Sequence, residues 1–499
     1  MICLTATQKS PAAVAEAIEY NRRWIDMVEL RLDFWNLQDP EVFETDLPDG
    51  LPRIVTLRRV RDGGRFALSE EKRAELLTVA LERLRPEYVD LEDDFCDTPE
   101  GSELLAFAYS LGCRVVRSVH DFEGTPEDLA DRIRRLDAAP GEVTKYAVAT
   151  TCTAELLTLH RAADAAFRAD PERERVLLGM GTYGVPSRLL PGRFHSKWTY
   201  CSAPDPGTTP GAPGHLTPQE LVERFAHREA EEGEPLFAIL GDPVLHSSSP
   251  SYHNRRLREE NAPGAYIAFP ADQLNPTMQL LDRLDLRGLS VTIPHKEGVI
   301  PFLEKAEGSV SAMGACNTLL RTESGGWQGI NTDVQGFLEP LKEELPELRG
   351  LRALVIGAGG AARAVVFALL TEGAQLTVAN RTRMRGEALL EELRDLGGGA
   401  GDLPRAASLD DSELLNAPFD LIVQTTSVGM DGVSEPLPAL PLSPNQLVYD
   451  IIYTPAETPL ILRAREAGAR TITGERMFEA QAAAQFDEFL RLAGTGGSG

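Results

Sequence analysis

Gly357, Gly359 and Gly360 stand between a short apolar run, Leu354 to Ile356, and an alanine-rich stretch, Ala361 to Glu372, which Gly373 closes. Glycines placed between a strand and a helix let backbone N–H groups approach a ligand, and the positive end of the helix then favours a pyrophosphate. Leu376 to Ala379 reads as the next strand, and it ends in Asn380, Arg381 and Thr382, where an NAD-binding unit would place a carboxylate for the ribose. Arg381 can pair with a 2′-phosphate instead, so the expected cofactor is NADP(H). The third glycine of the GxGxxG pattern is Ala362 here. The turn alone is therefore weak, and an ordinary packing turn is the competing reading. Strand, turn, helix, strand and arginine in that order favour the cofactor.

A second set of reactive groups falls near the front of the chain. Glu29, Arg31, Asp33, Arg58, Asp90, Glu92, His120 and Lys145 lie at or beside the C-terminal ends of short apolar runs. Those runs are Ile2 to Ala6, Met27 to Leu32, Ile54 to Arg58, Tyr88 to Leu91, Arg114 to His120, Lys145 to Ala149, Val176 to Met180 and Lys197 to Cys201. Helical stretches separate them, which predicts a (β/α)8 TIM barrel with its active site at the C-terminal ends of the strands. A lone lysine or histidine on a strand is most often an ordinary core or surface residue. So many charges on one rim are costly unless they bind something, and a site is the better reading. Thr125-Pro126-Glu127-Asp128 supplies a cap, an N1 proline and an acidic first turn, which predicts a helix starting there. The helix after the second strand is poorly marked.

At 499 residues the chain is long enough for two or three domains, and 42% hydrophobic with 25% charged residues is a globular composition. Net charge is −26, with 28 basic and 41 acidic residues up to position 232 and 22 and 35 beyond it. Neither half is the basic half of a nucleic-acid-binding protein, so any anionic substrate must be held by local Arg and Lys groups. Cys3, Cys96, Cys113, Cys152, Cys201 and Cys316 show no CxxC or metal-ligand spacing, so no metal site and no disulfide framework are expected. No signal peptide and no apolar run of membrane-spanning length is visible, and a cytoplasmic location is expected. The tail Gly494 to Gly499 is Gly/Ser-rich and reads as disordered.

The front residues resemble type I 3-dehydroquinate dehydratase across nearly all of residues 1–225. The carrying motifs are Glu29 to Asp33 (ELRLD), TLR ending at Arg58, DGG at Asp62 to Gly64, Ser118 to Pro126 (SVHDFEGTP), Lys145 to Thr150 (KYAVAT) and GxxGxxSR from Gly181 to Arg188. The resemblance implies that Lys145 forms an imine with the substrate ketone and that His120 removes the neighbouring proton and then protonates the departing hydroxyl. It needs a partly neutral Lys145, which burial and nearby arginines could supply. It makes Arg188 the carboxylate clamp and Glu29, Arg31 and Arg58 contacts to substrate. Asp62 stands where the family usually has a histidine-orienting Glu. GAPGH at Gly211 to His215 replaces the usual lid SAPGQ, so His215 takes the place of a substrate-contacting Gln.

In the back half, Gly241 to Asn254 (GDPVLHSSSPSYHN) reads by itself equally well as a Ser/Pro-rich turn capping a helix. With GLSVTIPHK at Gly288 to Lys296, GACNT at Gly314 to Thr318, GINTD at Gly329 to Asp333 and the cofactor turn after them, the segment 235–490 resembles shikimate dehydrogenase. That resemblance implies Ser247 and Ser249 on the substrate carboxylate, Thr292, Asn317, Tyr453 and Gln481 on the ring, and Lys296 with Asp333 as the catalytic pair. It places Gly357, Ala358, Gly359, Gly360 and Ala361 on the pyrophosphate and Asn380, Arg381, Thr382 and Arg385 near the 2′-phosphate. Thr426, Ser427, Gly474 and Met477 complete the cofactor set. The family often has NATS for QTTS and QG for Gln481-Ala482.

The expected fold is α/β, a TIM barrel followed by a two-domain shikimate dehydrogenase with a Rossmann NADP-binding domain. Expected boundaries are residues 1–228 for the barrel, 229–235 for a linker, 236–348 with 474–493 for the shikimate-binding domain, and 349–473 for the Rossmann domain. The implied function is dehydration of 3-dehydroquinate followed by NADPH-dependent reduction to shikimate, with small molecules as partners, no nucleic acid or membrane, and the oligomeric state open. Two competing readings are an active dehydrogenase with an inactive barrel, and a non-catalytic sensor of quinate metabolism.

Overall fold

The computed structural model describes residues 1–494 apart from 45, 138, 140, 204–215, 231–233 and 394–402. Gly211 and His215, part of the expected linker and the tail beyond Gly494 lie outside the described residues. The chain packs into two compact units. One holds Met1–Leu236, Pro243–Asn254 and Pro263–Asp285, and the other holds Phe237–Asp242, Arg255–Ala262 and the chain from Leu286 on.

The first unit contains strands β1 (Ile2–Ala6), β2 (Met27–Arg31), β3 (Arg53–Thr56), β4 (Tyr88–Glu92), β5 (Arg114–Asp121), β6 (Val143–Ala149), β7 (Arg175–Met180) and β8 (Thr199–Ser202). They pair in parallel in the order β7-β6-β5-β4-β3-β2-β1-β8. The β7–β8 seam is stitched where Lys197 N donates to Arg175 O and Leu177 N to Ser196 Oγ, both at 2.8 Å, so the parallel barrel is nearly closed. Alternation along each strand decides what fills it. Met27, Ile54, Val116, Val143, Val176 and Trp198 pack in one apolar cluster. Two residues further along, Glu29, Thr56, Ser118, Lys145 and Tyr200 make a polar layer above it.

Two local expectations change. Between β2 and β3 the described residues form no α-helix but two 3-10 turns, Leu32–Phe34 and Pro40–Phe43. The helix expected at Thr125 begins three residues later, at Leu129 after the proline turn. Thr125 does not cap it, because its hydroxyl donates to Ala149 O at 2.9 Å across the strand ends.

The second unit has two sheets. In the first, β9 (Leu236–Gly241), β11 (Leu286–Val291), β13 (Thr318–Arg321), β14 (Trp327–Ile330) and β12 (Lys305–Ala306) follow in that order, with β13 antiparallel to both neighbours. Strand β10 (Ala265–Pro270) belongs to the first unit. The second sheet is parallel throughout, β17-β16-β15-β18-β19-β20, from β15 (Arg352–Ile356), β16 (Gln375–Ala379), β17 (Arg405–Ala407), β18 (Leu421–Gln424), β19 (Leu447–Asp450) and β20 (Arg470–Ile472). Ala353 and Val355 face one apolar cluster and Leu354 and Ile356 another, the two-sided burial of a doubly wound sheet. The closing helix, Gly474–Gly494, lies close on Asp333–Glu344, since a Cβ at Gly336 would fall 2.6 Å from that of Gln481.

Candidate active sites

Lys145 sits in the polar layer of the barrel, 5% exposed. Its Nζ donates to Asp90 Oδ2 at 2.9 Å, lies 3.9 Å from Glu29 Oε1, and stands 4.4 Å from the centre of the Tyr200 ring. Each buried carboxylate here has more than one donor. Glu29 accepts from Thr5 and Thr56, both at 2.9 Å, and Asp90 Oδ1 accepts from Ser118 at 2.6 Å and Arg58 at 2.8 Å. Glu92 accepts from Arg58 at 2.7 Å and from Arg73 of the helix Glu70–Leu84. Burial opposes ionisation of Asp90, but Arg58 and then Lys145 outweigh it and hold the carboxyl well below its usual range.

Beside them, burial and then the Arg58 and Lys145 charges hold His120 well below the usual histidine range, so its imidazole is neutral. Its ring stacks on Phe122, 6.3 Å between centres, and its buried Nδ1 has no partner among the described residues. Asp62 turns to Arg59, 2.6 Å away. Arg31 is held bidentately by Asp33 at 2.8 and 2.9 Å. Arg188 lacks the carboxylate partners that Arg31, Arg58 and Arg59 have. It is 8% exposed, donates to Gly179 O at 3.2 Å, and has no ion-pair partner among the described residues. Burial lowers it to about 10. An unpaired buried guanidinium is a receptor for a carboxylate.

In the second unit, Lys296 Nζ contacts Asp333 Oδ2 at 2.5 Å. Neutral groups fix this carboxylate: Asn317 Nδ2 donates to Asp333 Oδ1 at 2.9 Å, and the Asp333 N–H is held by Asn331 Oδ1 at 2.9 Å. Asn317 is itself set by Thr332 N and Thr318 Oγ1, at 2.9 and 2.8 Å. Gln485, absent from the motif reading, joins Ser290, Thr318 and Asn317 O from the closing helix at 2.8, 2.8 and 3.2 Å. Gln481, one turn earlier, and Thr292 are half-buried. Tyr453 stacks on Phe478, 4.9 Å between centres. In the first unit, Ser247 Oγ and Ser249 Oγ are 3.2 Å apart where the helix Ser249–Glu259 begins.

The cofactor cradle is shaped by backbone. Gly357 has φ +119°, and a Cβ there would fall 2.4 Å from Thr425 Oγ1. Nothing lies within 4 Å of the corresponding point at Gly359, and at Gly360 the nearest atom is Lys296 Cβ at 3.2 Å. Lys296 thus borders the glycine turn. Helix Gly360–Thr371 opens without a side-chain cap, leaving its first N–H groups for a ligand. After β16, Arg381 and Arg385 are exposed and make no ion pair among the described residues, whereas Arg383 between them pairs with Glu387 at 2.9 Å. Asn380 Nδ2 donates to Thr382 O at 2.9 Å. Gln424, the first residue of QTTS, braces the loop by accepting from Thr426 N and donating to Val428 O, at 2.9 and 2.8 Å. Met477 is buried, and Gly474 packs where a Cβ would strike Ile451 O. These residues fit a dinucleotide with a 2′-phosphate.

Residues 2–232 match the family described as type I 3-dehydroquinase, residues 239–319 the shikimate dehydrogenase substrate binding domain, and residues 339–427 shikimate / quinate 5-dehydrogenase. A chloroplastic bifunctional 3-dehydroquinate dehydratase/shikimate dehydrogenase of Arabidopsis thaliana is 30% identical, over 96% of this chain and 80% of that protein. The chain belongs to the family of bifunctional 3-dehydroquinate dehydratase/shikimate dehydrogenases. As a member it is both a dehydratase and an NADP-dependent shikimate dehydrogenase. An NADP(+) shikimate dehydrogenase of Syntrophobacter fumaroxidans is 39% identical over 51% of this chain and 87% of that protein. The crystal structure of shikimate 5-dehydrogenase from Thermus thermophilus with NADP(H) and shikimate is 34% identical, with TM-score 0.44 over 52% of this chain and 99% of that one. Among the described residues no helix is long and apolar enough to cross a membrane.

Proposed function

We propose that the two reactions divide between two lysines of different chemistry. In the barrel, Lys145 Nζ attacks the ketone of 3-dehydroquinate and water leaves, giving an imine that draws electrons from the adjacent C–H bond. His120 takes that proton and returns it to the departing hydroxyl, and water then releases 3-dehydroshikimate. Arg188 holds the carboxylate, Glu29, Arg31 and Arg58 position the ring, and Asp62 and His215 complete the substrate contacts. One observation supports this most: a neutral His120 lies within the field of the Lys145 charge, and Arg188 is a buried guanidinium with no ion-pair partner among the described residues.

In the dehydrogenase, Lys296, held by Asp333, protonates the carbonyl oxygen of 3-dehydroshikimate. Ser247 and Ser249 receive the carboxylate, and Thr292, Asn317, Tyr453 and Gln481 the ring. Gly357, Ala358, Gly359, Gly360 and Ala361 hold the pyrophosphate, Asn380, Arg381, Thr382 and Arg385 the 2′-phosphate, and Thr426, Ser427, Gly474 and Met477 the nicotinamide end. NADPH when bound supplies the hydride. We place the domains at 1–228, 236–348 with 474–493, and 349–473, joined by 229–235, in a cytoplasmic enzyme. A coupled assay from 3-dehydroquinate and NADPH tests the reading: steady oxidation of NADPH is expected from the wild type, and Lys145→Ala or Lys296→Ala should abolish it. Retained flux in either variant contradicts the assigned lysine.

A further inference from the structure

Arg224 closes a single π-helical turn, Glu220–Arg224, within the segment that matches the dehydratase family. Its guanidinium reaches out of that segment. One terminal nitrogen donates to Ser247 O at 3.0 Å and also to Leu245 O. The nearest carboxylate, Glu220, is 3.8 Å away, so the charge is not matched by a close ion pair. The Arg224 carbonyl in turn accepts from Asn254 Nδ2 at 2.8 Å, and the same side chain holds Tyr266 O and Tyr266 N at 2.7 and 2.8 Å. All these residues lie in the first compact unit.

The two carbonyls belong to the turn that presents Ser247 and Ser249. Around the serines themselves the bonds among the described residues are short-range: Ser247 N to Val244 O at 3.0 Å and Ser249 N to Ser247 Oγ at 3.2 Å. Such bonds tie the turn to itself and not to a support. Arg224 supplies the support, and it brings a positive charge to the Leu245 and Ser247 carbonyls. We infer that Arg224, a residue of the dehydratase segment, is a positioning residue for the dehydrogenase: it holds the serine turn in place to receive the substrate carboxylate. The inference rests on the reading of Ser247 and Ser249 given above. It makes the dehydrogenase dependent on its fusion partner for shikimate binding, with no part for Arg224 in the dehydration itself.

The test is steady-state kinetics on the full chain. Arg224→Met keeps the apolar stem and removes the donors and the guanidinium that lies over the Phe225 ring at 4.8 Å. It should raise the KM for shikimate about tenfold, the scale of a lost charged hydrogen-bond pair, with kcat, the KM for NADP+ and the dehydratase activity within about twofold of wild type. Arg224→Lys, which keeps the charge and one donor direction, should recover part of the loss. Ser247→Ala and Ser249→Ala should raise the same KM. If the serine variants raise it and Arg224→Met does not, the positioning role is overturned while the serine reading stands. If neither serine variant raises it, the serine reading falls and takes the inference with it. Equal loss of both activities together with a lowered melting temperature in Arg224→Met would mark a purely structural residue and also overturn the inference.

Discussion

Lys145 and Lys296 occupy opposite kinds of surroundings. Around Lys145 the barrel buries a network of charges: Glu29, Asp90 and Glu92 against Arg58, Arg73 and the lysine itself, all under 9% exposed. Burying that many ions is costly, and the cost is offset only because each carboxylate accepts from two or more donors. Among the described residues Lys296 has one ionic partner, Asp333, and the positioning is done by neutral amides of Asn317 and Asn331. On the proposed roles, the difference matches what each site must supply. A dehydratase working through an imine has to provide nucleophile, electron sink, base and acid from its own side chains. A dehydrogenase receives its hydride from a cofactor and needs one well-held proton.

Variants can break or sharpen that contrast. The largest effect is expected from Lys145→Ala, which should lower dehydratase kcat by about a thousandfold or more by removing the covalent route, and leave shikimate oxidation untouched. Measured rates for both half-reactions check it, and a comparable loss of both would erase the division. Lys296→Ala should lower dehydrogenase kcat by about 10²- to 10⁴-fold, the range for a lost general acid, with NADPH affinity by fluorescence titration unchanged. Equal loss of both would mean that the lysine is structural. Arg381→Ala should cut the preference for NADPH over NADH by about tenfold, the worth of a charge-assisted pair, read as the ratio of kcat/KM values.

The pH behaviour separates the sites further. His120 is held below its ordinary value by burial and by neighbouring cations, so the acidic limb of dehydratase kcat/KM should lie below about 6.5, the ordinary histidine pKa. A limb at or above that value would show a protonated, solvent-like histidine. The smallest effect concerns stability, in the Rossmann sheet. Burial pushes Asp450 up to about 6 despite its bonds from Thr458 and the Ile452 N–H. A raised folded value means the folded chain binds the extra proton, so the stability from Asp450 is present below about 4 and lost as pH rises through about 6. Asp450→Asn should therefore gain on wild type, by up to about 3 kcal/mol, between those pH values in denaturant titrations. A difference independent of pH contradicts the assignment.

Much of this was legible because the period-two pattern is local. Met27-x-Glu29 declares both strand and layer, and the glycine turn at Gly357 declares a backbone shape that favours glycine, whereas the strand expected at Lys145–Ala149 begins at Val143. What escaped was long-range. Arg73 lies on a helix that reads as a polar surface, yet it is 0% exposed and reaches Glu92 across the barrel wall. Gln485 shares a helix face with Gln481 one turn away, and sequence cannot say which of the two meets Asn317. Thr125 had every local mark of a cap, and a carbonyl from the neighbouring strand, Ala149, took its hydroxyl. Arg224 carries no local mark of its bonds to Leu245 O and Ser247 O, more than twenty residues away.

The contrast between the lysines is tested most directly by borohydride reduction of the full chain with 3-dehydroquinate, followed by peptide mass spectrometry. A single reduced adduct on Lys145, with none on Lys296 and none in Lys145→Ala, is the predicted result. No adduct at all, or one on Lys296, would contradict the division of chemistry between the two sites.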